Sequence, residues 1–74
     1  MRTCHQITVT LKSEDKWTNY YMIDYYNTAL QYRMNKTFNI DKRFTQVEEI
    51  RERLNYYAGN KIDFSKTNII IKEG

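Results

Sequence analysis

From Cys4 to Lys12 the chain reads CHQITVTLK, and apolar and polar positions alternate. Ile7, Val9 and Leu11 fall on one side, Gln6, Thr8 and Thr10 on the other. A period of two with β-branched residues predicts a half-buried strand. The pattern then changes. Ser13 stands where a helix N-cap belongs, followed by Glu14 and Asp15, acids that complement the positive end of a helix dipole. No glycine or proline interrupts the chain from there to Lys36, and Arg33 and Lys36 supply the cations that a helix C-terminus favours. This stretch reads as a first helix of about 20 residues. In NKTFNIDKRF the alternation of Phe38 and Ile40 allows a short strand, but a loop with two anchoring side chains is preferred.

A second helix has a fuller signature. Thr45-Gln46-Val47-Glu48 fits a capping box, and Val47, Ile50, Leu54 and Tyr57 follow as one apolar stripe. Gly59 then stands where a left-handed C′ residue ends a helix. In the tail, Ile69 to Ile71 reads as a strand, and Ile62 to Phe64 could pair with it as a hairpin across SKTN. The resulting expectation is an α+β fold of order β-α-α-β. A small antiparallel sheet of two or three strands packs on a two-helix hairpin, in a single domain over residues 1–74. The last strand runs antiparallel to the first.

The aromatic residues complicate that picture. NYYMIDYYN, residues 19–27, holds four of the seven tyrosines. On a helical wheel Tyr20, Ile23, Tyr26, Leu30 and Met34 make a core stripe. Tyr21, Tyr25, Ala29 and Tyr32 make a second stripe nearly opposite. A chain with two helices has nothing of its own to cover both, so Tyr21, Tyr25 and Tyr32 become the candidate interface. A second copy in a twofold homodimer is the first partner to consider.

Charge adds a second surface. The formal net charge is +3. Arg33, Lys36, Lys42 and Arg43 fall close together in sequence with Tyr32 and Phe38 among them, the mixture of cations and rings that single strands favour. Weak nucleic-acid binding through residues 33–43 is the alternative reading. Reactive chemistry is sparse. Cys4 is the only cysteine, so no disulfide forms within one chain, and Cys4 with His5 falls short of the four ligands of a zinc site. Glu48, Glu49 and Glu52 sit at a helix start, where acids are stabilising, and Glu49 can pair with Arg53. No phosphate-binding loop or serine elbow is present. The expectation is a protein that is not an enzyme and needs no cofactor or metal. The lone cysteine and the lack of a long apolar run point to the cytoplasm rather than a membrane or secretion.

Phe, Tyr, Met, Ile, Asn and Lys, all with A/T-rich codons, dominate the composition, while Gly, Ala, Arg and Pro are few. In size and composition the whole chain resembles the small host-takeover proteins of AT-rich lytic bacteriophages. That resemblance implies an inhibitor that binds a host machine in the host cytoplasm, with DNA replication favoured as the target. Gln31-Tyr-Arg-Met34 followed by Phe38 looks like the peptides that replication sliding clamps bind.

Overall fold

A computed structural model describes residues 2–74. Strands account for 53% of the chain and one helix for 18%. The elements are β1 (Arg2–Thr3), β2 (Gln6–Glu14), β3 (Thr18–Asn27), β4 (Tyr32–Asp41), α1 (Gln46–Ala58), β5 (Ile62–Asp63) and β6 (Asn68–Glu73). A four-stranded sheet has the order β4-β3-β2-β6, and β1 and β5 form a separate two-stranded parallel pair.

The expected first helix is therefore corrected: its residues form the end of β2, the turn after it, β3, the next turn and the start of β4. The apolar residues of this region follow period two. Tyr21 and Ile23 on β3, and Met34, Phe38 and Ile40 on β4, are all buried against α1. Aromatic and β-branched residues fit a pleated surface better than a helix. The two-helix hairpin is replaced by a three-stranded meander and one helix. That change also reverses the direction of the last strand. After β2, β3 and β4 the chain returns through α1, so β6 runs parallel to β2, with Ile7 beside Ile69 and Val9 beside Ile71. The expected hairpin between Ile62–Phe64 and the last strand is absent, because β5 pairs with β1.

Two turns lack the usual glycine. Between β2 and β3 the Asp15 carboxylate accepts the backbone N–H groups of Trp17 and Thr18, each at 2.8 Å. Between β3 and β4 the Asn27 side chain accepts the Leu30 N–H, and Gln31 takes a left-handed φ of 51°. A bulge near Lys12 shifts the β2–β3 register between Leu11 and Ser13.

α1 begins and ends where the sequence predicts, with Thr45 at the N-cap and Gly59 at φ 61° after its last residue. Ile50, Leu54 and Ala58 are buried. The capping box itself is not made: the Thr45 hydroxyl forms no cap hydrogen bond. Gln46 fixes this end instead. Its Oε1 accepts from the Tyr21 hydroxyl at 2.6 Å and from Asn19 at 3.1 Å, and its Nε2 donates to the Asp41 and Phe44 carbonyls. Glu48 pairs with Arg51 at 3.7 Å. Arg53 donates to the Asn39 carbonyl in place of the expected pairing with Glu49. Arg51 also donates to the Phe64 and Thr67 carbonyls, and the Thr67 hydroxyl donates to the Cys4 carbonyl. These bonds hold the segment before β6 against both the helix and the N-terminal segment.

Candidate partner-binding face

α1 covers one face of the sheet, and among the described residues nothing covers the other. Because neighbouring strand residues point to opposite faces, each adjacent tyrosine pair is divided. Tyr21 and Tyr25 go under the helix. Tyr20 and Tyr26 go to the open face, 38% and 49% exposed. Met22 and Asp24 lie between them on that face. The register then fixes their neighbours. Thr10 and Thr37 flank Met22, Ser13 and Asn39 flank Tyr20, Asn35 lies beside Asp24, and Arg33 lies beside Tyr26.

Asp24 and Arg33 on this face are matched to each other, whereas Lys72, beside Thr10, and Lys12, near Tyr20, make no ion pair among the described residues. Arg33 donates to Asp24 at 2.9 Å while its guanidinium lies 5.5 Å from the Tyr26 ring centre. Tyr20 donates to Asp15 at 3.0 Å. The Asp15 carboxyl is held below its ordinary 3.8, chiefly by the Trp17 N–H and then by Tyr20. The same carboxylate raises the Tyr20 phenol above its ordinary 10.0, so it stays a neutral hydrogen-bond donor and acceptor. Ring area, a thioether and uncharged Thr and Asn side chains, flanked by the Lys12 and Lys72 ammonium groups, are what this surface offers a partner.

The tyrosines picked out from the sequence lie on the opposite face. Tyr21 is 2% exposed, its ring 5.7 Å from Phe38. Tyr25 packs edge-on to Phe64 at 6.2 Å, and burial pushes its phenol above 10.0. Tyr32 donates to the Tyr57 carbonyl at 3.2 Å, with the Lys61 ammonium 4.7 Å from its ring centre. Of the expected core stripe, Ile23 and Met34 are buried, while Tyr20, Tyr26 and Leu30 are exposed.

The four basic candidates do not converge. Arg33 is on the open face, and Lys36 lies over Tyr57 on the helix side, 5.7 Å from the ring centre. Lys42 and Arg43 lie past the far end of β4, roughly 30 Å from Arg33 at the rise of a strand. Arg33, Lys42 and Arg43 each have a carboxylate partner: Asp24, Glu14 and Asp41 respectively. Cys4 is buried and His5 exposed. Among the described residues no group of three or more His, Cys, Asp or Glu could hold a metal ion, and no helix is long and apolar enough to cross a membrane.

Sequence reasoning passed over Tyr20, Met22 and Tyr26 as a surface. The signal was parity. Residues 20, 22, 24 and 26 share one side of a strand, and 21, 23 and 25 share the other. Comparison of the chain with protein-family models, with curated proteins and with solved structures gives no match.

Proposed function

We propose that this protein is a small non-catalytic binding module that docks a protein partner on the open face of its sheet. Tyr20, Met22 and Tyr26 are its anchors. The carrying observation is the contrast between this face and the rest of the chemistry. Half-exposed tyrosines and a methionine lie among mostly uncharged hydrogen-bonding side chains, the one Asp–Arg pair there satisfies itself, and the lysines Lys12 and Lys72 stand beside this patch on the β2 and β6 side. Tyr and Met are enriched in the cores of protein interfaces, where charged groups are depleted. Tyrosine also keeps its hydrogen bond when its ring is buried.

The resemblance to phage takeover proteins supplies the finer form of the proposal: a host protein in the cytoplasm, bound and inhibited, with the replication machinery favoured. The clamp-binding resemblance rested on Gln31, Met34 and Phe38. Met34 and Phe38 are 1% and 7% exposed, so docking on a clamp falls to the open face instead. Nucleic-acid binding through residues 33–43 has less support, since three of its four cations are already neutralised by carboxylates.

The test is affinity capture from bacterial lysate, read by mass spectrometry, with three baits. Wild type and Tyr56→Ser, an exposed helix position, should capture the same protein. The double variant Tyr20→Ser, Tyr26→Ser should lose it, and the capture should survive nuclease and raised salt. Equal capture by all three baits overturns the assignment of the face. Capture that disappears with nuclease and falls steeply with salt promotes nucleic acid.

A further inference from the structure

The sheet has two edges, β4 and β6, and they are finished differently. β4 is guarded. Arg53 from α1 donates to its Asn39 carbonyl at 3.4 Å, and the side chains of Arg33 and Lys36 stand along it. Charge and cover of this kind keep an edge from pairing with another strand. β6 has neither. It presents Ile69, Ile70 and Ile71 in succession, with no proline and no charge before Lys72. Ile70 and Ile71 are 38% and 37% exposed. Ile71 shares a side with buried Ile69, yet it stays open, because α1 packs on β4 and β5.

The backbone directions along β6 follow from its two ends. The Asn68 N–H donates to His5 and the Gly74 N–H to Leu11, at 2.9 and 3.0 Å. Even-numbered residues therefore face β2. By alternation the N–H and C=O groups of Ile69, Ile71 and Glu73 face the open edge.

We propose that β6 pairs antiparallel with β6 of a second copy, about a twofold axis through Ile70. Three features select this partner and register. Ile69 lies opposite Ile71 of the other copy, and both carry outward-facing groups, so each such pair exchanges both of its hydrogen bonds. Ile70 meets Ile70 at the axis as a side-chain pair on the open face. Lys72 falls opposite Asn68, so no like charges meet. Moving the axis to Ile71 would set Glu73 against Ile69 and Lys72 against Ile70. Moving it to Lys72 would set two lysines against each other. The product is one continuous sheet with both helices on one side and both open faces adjoining on the other. An edge this short buries less than the ~1,200 Å² of a stable interface, so association is weak and depends on concentration.

Sedimentation equilibrium from micromolar to millimolar protein tests this. The wild-type mass should rise toward that of a dimer. Ile70→Lys and Ile70→Glu should each remain monomeric, and an equimolar mixture should recover the dimer. Ile71→Pro should be monomeric too, since it removes an N–H that makes no bond to β2. Circular dichroism checks that each variant is folded, and the mixed-charge pair carries the test if the proline variant is not. A wild-type mass that stays monomeric throughout overturns the proposal, including the case in which the edge takes a strand from a different protein. Dimers that persist in Ile70→Lys and Ile71→Pro also overturn it, because the interface then lies elsewhere. Tyr20→Ser, Tyr26→Ser should dimerise as wild type does, so the result is independent of the docking face.

Discussion

Tyr20 and Tyr21 are neighbours in the chain and strangers in the fold. Tyr21 lies under α1, its hydroxyl satisfied by Gln46 at 2.6 Å. Tyr20 lies on the open face, its hydroxyl held by a turn carboxylate. Tyr26 and Tyr25 repeat the division five residues on. The same side-chain chemistry thus serves cohesion on one face and is left exposed on the other, and only strand parity decides which. Substitutions on the two faces should therefore separate cleanly.

The largest effect is expected in the covered layer. Ile23 is 0% exposed at the middle of β3, and Ile23→Ala should cost about 2–5 kcal/mol in urea melts. A loss under about 1 kcal/mol, the size of a surface substitution, would mean the covered face is not the core. Next comes the polar tie beneath the helix. Tyr21→Phe removes the donor to Gln46 without removing the ring, and about 1 kcal/mol should be lost. On the open face, Tyr26→Ser should change stability by no more than about 0.5 kcal/mol while reducing partner capture. A Tyr26→Ser protein as unstable as Ile23→Ala would erase the distinction between the faces.

Acid should touch the two faces unequally. Asp15, Asp41 and Asp63 have folded-state values below the ordinary 3.8, each first because of a backbone N–H, from Trp17, Arg43 and Ser65. A depressed carboxyl contributes stability that is present above its unfolded value and lost as pH falls through its folded value. Urea midpoints should hold down to about pH 4 and decline below the 3.8 of a free aspartate. Asp15→Asn should flatten part of that decline and release Tyr20, leaving the tie between Tyr21 and Gln46 in place. An unchanged acid slope in Asp15→Asn would remove this carboxylate from the account.

β2 and α1 were legible because their periods are unambiguous: Ile7, Val9 and Leu11 at spacing two, Ile50 and Leu54 at four. β3 and β4 were hidden by their turns. Asp15 offers a carboxylate to successive backbone N–H groups, which is what an acid in a first helical turn also does. The β3–β4 turn uses Gln31 at positive φ, where glycine would have announced a reversal. Without that punctuation the doubled tyrosines fitted a helical wheel with two stripes. The wheel divided each pair correctly and assigned the two halves to the wrong faces. The open face could not be identified while its strand was taken for a helix.

The parallel pairing of β2 with β6 also has a kinetic consequence. The β2–β3–β4 meander closes through short turns and can form early, since local hairpins assemble quickly. β2 then still lacks its second neighbour, which comes from the far end of the chain after the helix has crossed over. Ladders of such long sequence separation form slowly, because loop closure is costly before the contacts form. Until β6 arrives, the edge of β2 is bare beside Ile7 and Val9. The docking of β6 should be the late step in refolding, and Ile69→Val, where it lowers stability, should act mainly by speeding unfolding rather than slowing folding.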